Sequence, residues 1–133
     1  MKAIALEAAW ATLAAASACL DGLIRDGSGV LADAIDEPER AQVKAALEDA
    51  SAARDELVEV FHREAFQAGV TLFDPSPERE YGSLGQLRVV VRDGLAEVDG
   101  LADVLVVDGG ELVPLASRLR DGFQAVADAL PDG

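Results

Sequence analysis

The chain has one cysteine, one histidine, six aromatic residues, two lysines and no run of about 20 uncharged apolar residues in its 133 positions. Each shortage closes off a class of function. A lone Cys19 excludes an intramolecular disulfide framework. With His62 as the single histidine, the soft ligands of a structural zinc cluster are missing as well. Without a long apolar run, no transmembrane span is predicted. The aromatics are Trp10, Phe61, Phe66, Phe73, Tyr81 and Phe123, so the core must be built from Ala, Leu and Val. Thin seams of that kind let helices approach closely.

What the chain has in excess is acid. Asp and Glu number 25 against 11 Lys and Arg, a net charge of −14. Affinity for nucleic acid comes mostly from neutralising phosphates with Lys and Arg, so DNA or RNA binding is not expected. The same charge suits docking on a basic partner, or simple solubility. The length fits one domain, 1–133, which can bury roughly two thirds of the surface of its unfolded chain.

The first twenty residues, MKAIALEAAWATLAAASACL, combine Lys2, an Ala/Leu run and Ala16-Ser17-Ala18-Cys19, features shared with a lipoprotein-type signal. Two features oppose that reading. Glu7 interrupts the run, and Leu6, Trp10, Leu13, Ser17, Leu20 and Ile24 form a helical stripe continuing past the cleavage point. A helix is therefore expected from Lys2 to Arg25, ending at Asp26-Gly27-Ser28-Gly29.

Val30 to Ile35 reads as a short helical turn or linker. Asp36-Glu37-Pro38-Glu39 predicts a second main helix opened by a capping box from Asp36 and Glu39. Its buried stripe is Val43, Leu47, Ala50, Leu57, Phe61, Ala65 and Ala68, and Gly69 ends it. Gly69 to Pro77 is irregular, with Val70, Leu72 and Phe73 expected to pack across the bundle as a strap, and Ser76-Pro77-Glu78 as a short turn. Ser83 and Gln86 form a second capping box. From there Leu84, Leu87, Val91, Leu95, Val98, Ala102 and Leu105 recur at helical spacing until Asp108-Gly109-Gly110. A last helix, starting near Pro114, carries Leu112, Leu115, Leu119, Phe123, Val126 and Leu130.

Residues 86–114 have a β alternative, because RVVV and DVLVV are strand-like and RDG or DGG can turn hairpins. An internal echo favours helix. A 28-residue shift places Leu84, Leu87, Val91, Arg92-Asp93-Gly94, Leu95 and Val98 on Leu112, Leu115, Leu119, Arg120-Asp121-Gly122, Phe123 and Val126. The second copy is helical by composition and period. Asp-Gly also occurs inside helical patterns at Asp21, Asp93, Asp99 and Asp121, where each Gly costs roughly 1 kcal/mol against Ala. Close helix packing is the expected return at Gly94, while Gly100 lies on the opposite face of its helix.

Chemistry has few footholds. Asp55, Glu56, Glu59 and His62 include a Glu-x-x-His unit of the kind that di-iron bundles use. Glu59, however, lies about 200° round the helix from the inward Leu57, and a second histidine is lacking. A histidine-phosphotransfer domain would carry a basic and then a small residue three and four positions after its histidine, where this chain has Ala65 and Phe66. Glu56 and Glu59 facing Asp99 and Asp103 would imitate the Mg²⁺ site of an all-α nucleotide pyrophosphohydrolase, yet these acids fall on outward faces. Ser17 and Ser83 lack a nearby histidine.

The residues thus predict an all-α, four-helix bundle with an irregular strap between the second and third main helices. Hairpins in 86–114 are the α+β alternative. The expected function is that of an acidic, cytoplasmic interaction or adaptor protein that self-associates or docks on a protein partner, without catalytic, cofactor-binding or metal-binding residues. A Mg²⁺-dependent, pyrophosphohydrolase-like enzyme is the runner-up. A homodimer is expected, because the first helix is apolar nearly all round: either it is central to the bundle or its second face meets another chain.

Overall fold

The computed structural model describes residues 2–73, 77–107 and 110–131, which are helical without a strand. Helices α1 (Ala3–Arg25), α3 (Glu39–Ala68), α4 (Leu84–Val107) and α5 (Val113–Ala129) form the bundle, and α2 (Val30–Ala34) is a single short helix between the first two. The valine-rich segment 86–107 is helix. Its Val90, Val91, Val98, Leu101 and Leu105 supply one buried face, a period that a hairpin cannot offer.

In the bundle α1 packs on α3 and α4, and α5 packs on both from the other side. Each of these neighbours runs antiparallel. Arg54 of α3 reaches Ser17 and Asp21 while Phe61 meets Trp10. Along the α4–α5 seam Asp99 pairs with Arg120, and Gly94 lies against Phe123. It follows that α3 and α4 are parallel and diagonal, so the chain between them must travel the length of the molecule.

That crossover is the strap, and its described parts lie along α1. The Trp10 indole N–H donates to the Phe73 carbonyl at 2.7 Å. Further on, the Arg79 N–H donates to the Ala18 carbonyl at 2.9 Å, and the Tyr81 hydroxyl lies 3.1 Å from the Gly22 carbonyl. Val70 and Leu72 pack against the core as expected, but the Phe73 side chain is 82 % exposed and only its carbonyl is used. Residues 74–76, and with them part of the expected Ser76-Pro77-Glu78 turn, lie outside the described residues, as do Asp108 and Gly109 of the break before α5.

The strap explains why α1 is apolar nearly all round. Leu6, Ala9, Trp10, Leu13, Ala16, Cys19, Leu20 and Leu23 are all buried within this one chain. The helix packs on α3 on one side and α4 on the other, and the crossover runs along it. Glu7 stays exposed, and Ala16 to Cys19 lie in the middle of the helix.

Three helical Asp-Gly glycines sit where helices or strap approach most closely. A Cβ on Gly94 would fall 2.4 Å from the Phe123 ring, one on Gly122 2.5 Å from Ala50 Cβ, and one on Gly22 2.2 Å from the Arg79 carbonyl oxygen. Gly94 and Gly122 are also the matched glycines of the 28-residue echo. Gly100 is different: a Cβ there would make ordinary contact, 3.7 Å from Thr12 Cγ2.

The ends of the helices follow local chemistry, with two corrections. Asp26, in the left-handed region at φ 39°, closes α1 by donating its N–H to the Gly22 carbonyl. Its carboxylate then accepts from the Leu31 and Ala32 N–H groups and so caps α2. The Ser83 half of the second box forms, with Ser83 Oγ accepting from the Gln86 N–H, while Gln86 Oε1 accepts from the Gly82 N–H rather than from that of Ser83. The Asp36–Glu39 box does not form. Regular helix starts only at Glu39, and Asp36 contributes its carbonyl, not its carboxylate, to the Arg40 N–H. Arg40 meanwhile donates to the Ala32 and Ile35 carbonyls, which fixes the path of the chain entering α3. Ala68, expected in the stripe, is exposed on the last turn.

Candidate interaction surface

The acidic residues that looked most like chemistry are spread over separate faces. Asp55 and Glu59 are exposed on α3, where Asp55 pairs with Arg54 and Glu59 with Arg63. Asp99 pairs with Arg120 across the α4–α5 seam, and Asp103 is exposed on α4. Because α3 and α4 are diagonal, Glu56 and Glu59 do not face Asp99 and Asp103, and the paired carboxylates of a nucleotide hydrolase do not converge. Among the described residues no group of three or more His, Cys, Asp or Glu side chains is placed to hold a metal ion.

His62 points outward, yet its ring stacks on Trp10 with centroids 5.1 Å apart and planes tilted by 60°. The indole thus contacts both Phe61 and His62, with the strap carbonyl on its nitrogen. Ser83 serves as a helix cap. Ser17 accepts from Arg54, whose guanidinium also reaches Asp21, Asp55 and Ser51 and ties α1 to α3. Arg54 is only 13 % exposed. Burial would disfavour its charge, but the hydrogen bonds it donates to Asp21 and Asp55 hold its pKa above the ordinary arginine value. Cys19 is buried in the core, and that burial pushes its thiol upward, against the pull of Arg79 and with Asp93 and Glu97 adding to the rise. A raised, enclosed thiol is a poor nucleophile.

The four most exposed large apolar side chains, by contrast, lie toward one end, with Ile24 and Val89 less exposed elsewhere. Phe66 is 89 % exposed, Phe73 82 %, Val107 87 % and Val106 60 %. The antiparallel arrangement brings the last turns of α3 and α4 to the end of the bundle where α1 begins. Phe66 lies one turn beyond His62, and Phe73 is held at Trp10 by its carbonyl, so all four side chains share that end. The exposed acids Glu7, Asp103 and Glu111 lie there too, with Lys2 and the paired Arg63 as the basic residues. Periodicity had left Val106, Val107 and Phe66 off the buried stripes. It could not show that they lie toward the same end of the bundle, because that depends on the crossover. No helix among the described residues is long and apolar enough to cross a membrane. Comparisons with protein families, with curated proteins and with solved structures find no match to this chain.

Proposed function

We propose that the protein acts by binding another protein through the open end of its bundle, without catalysis, and that the partner presents a basic amphipathic segment. The observation that carries this reading is the gathering of Phe66, Phe73, Val106 and Val107 at one end. Large apolar side chains left in water together mark contact surfaces, and phenylalanine is among the residues enriched in interface cores. The acidic fringe selects the partner's sign, since complementary charge steers association and like charge opposes it.

A second copy of the chain is the competing occupant. It would set the same acids against each other, and the apolar girth of α1, the sequence argument for a dimer, is satisfied internally by the strap. The test is titration of isotope-labelled protein with a helical Leu/Lys peptide. Shifts at Phe66, Phe73, Val106 and Val107 that weaken with salt and vanish in a Phe66→Ser/Phe73→Ser variant support the proposal. Unmoved resonances refute it. Concentration-dependent shifts of the same signals without peptide, with a mass near twice 13.9 kDa, would assign the surface to self-association instead.

A further inference from the structure

At the opposite end of the bundle, α1 closes, α2 lies across the opening and α3 begins. Between them is a cleft of about 400 Å³, within the range of small-molecule sites. Its walls are the apolar Leu23, Leu31, Ile35, Val43 and Leu47, with Ile24 half-exposed on the lip. The rim carries Arg40, Lys44, Asp26 and Glu48.

The cations of this chain are nearly all committed. Arg25, Arg54, Arg63, Arg79, Arg92, Arg118 and Arg120 each hold a carboxylate, and Arg88 a backbone carbonyl. Arg40 is spent on the Ala32 and Ile35 carbonyls, which secures α2 over the cleft. Lys44 has no ion pair or hydrogen bond among the described residues, although it stands in a chain with more than twice as many acids as bases. Its ammonium, one turn after Arg40, is the free donor at the mouth of the cleft. Of the rim acids, Asp26 is engaged by the Leu31 and Ala32 N–H groups and the Tyr81 hydroxyl. Asp26 and Glu48 both present a negative charge to an incoming anion, against the positive charges of Lys44 and Arg40 at the same rim.

We infer that this cleft binds a small aliphatic carboxylic acid, its chain lying on Leu23, Leu31, Ile35, Val43 and Leu47 and its carboxylate on Lys44. An apolar body needs the walls, and a single anionic head is what an uncommitted ammonium beside a structural arginine accepts. The site lies away from the open end, so it stands or falls independently of the proposed partner surface.

Decanoate and decyltrimethylammonium share a chain and differ in the sign of the head, which makes them suitable probes. Calorimetric titration should show decanoate binding, with resonance shifts confined to the cleft, and much weaker binding of the cation. Lys44→Met should weaken decanoate at least about tenfold, the size of one charge-assisted hydrogen bond. Glu48→Gln should tighten it. Both positions are exposed on α3, so unchanged helicity and melting would confirm that the variants fold. Equal binding of the two probes, indifference to Lys44→Met, or no cleft shifts with decanoate would each overturn the inference.

Discussion

Replacing the helical glycines by alanine one at a time separates helix propensity from packing within a single protein. Any Gly→Ala in a helix interior gains up to about 1 kcal/mol from propensity alone. At Gly100 little opposes that gain, because the new methyl would lie 3.7 Å from Thr12 Cγ2. Gly100→Ala should therefore stabilise. At Gly94 the methyl would stand 2.4 Å from Phe123 Cε1 and 2.7 Å from Cδ1 and Cζ, more than 1 Å inside the optimum of about 3.5–4.0 Å. Phe123 is fully buried and has no exit. Overpacking of this kind costs roughly 1–3 kcal/mol, which outweighs the propensity gain and leaves a net loss of about 1–2 kcal/mol. For a chain of this length each kcal/mol lowers Tm by roughly 3–5 °C. Gly22→Ala should be worst, since the opposing atom is the Arg79 carbonyl oxygen at 2.2 Å, part of a backbone pinned on both sides by hydrogen bonds to α1. Urea and thermal unfolding give the order directly, and a double-mutant cycle gives the cause. Phe123→Leu removes the ring, so Gly94→Ala should cost less in that background by about 1–2 kcal/mol. Gly94→Ala at or above wild-type stability, or strict additivity with Phe123→Leu, would refute the packing account.

Arg54→Met should lower stability by about 1–2 kcal/mol, the scale of a hydrogen bond to a charged group, reduced because Asp21 is 46 % exposed and Asp55 more so. An unchanged urea midpoint would show that the α1–α3 tie is inert. On the alkaline side, burial raises the Tyr81 phenol, helped by its hydrogen bond to Asp26 and that carboxylate's charge, and it raises the Cys19 thiol as well. The folded state therefore holds these protons more firmly than the unfolded state. Their contribution is complete below the ordinary values, about 9 for the thiol and 10 for the phenol, and declines as pH rises through the folded ones. Urea midpoints should fall over that window, and the fall should be shallower in Tyr81→Phe; a flat profile contradicts the assignment. Finally, the acidic surface predicts no binding of duplex DNA at physiological salt, which a salt-sensitive gel shift at micromolar protein would disprove.

The helices were legible because their punctuation is local. Asp26-Gly27, Gly69, Ser83 with Gln86, and Pro114 each act within one turn, and the observed limits of α1, α3, α4 and α5 fall on them. The choice of helix for 86–107 followed from its 28-residue echo in the helical pattern of 112–126, and the buried face of α4 bears it out. What stayed hidden depends on neighbours. Periodicity assigns an apolar face to α4 but does not say that it meets α1 and α5 and lies diagonal to α3, and that topology keeps Glu59 and Asp103 apart. Tyr81 and Arg79 fasten the strap through hydrogen bonds to α1, which no local pattern signals. The Asp36 box failed because Arg40, through the Ala32 and Ile35 carbonyls, dictates a different approach to α3. The small-residue pattern was the most far-sighted signal: Gly94 was read from sequence as a point of close contact, and Phe123 is what fills it.

The crossover has a consequence for how the chain is made. Tyr81 follows the Gly22 carbonyl that it covers by 59 residues, so at about 5–20 residues per second a ribosome delivers it roughly 3–12 s later. When the most apolar helix of the protein has been made, the α3, strap and α4 surfaces that enclose it are still to be synthesised, and they arrive in that order. An acidic chain with few aromatics is well suited to that delay, because its charge keeps nascent copies apart while the first helix waits for the strap.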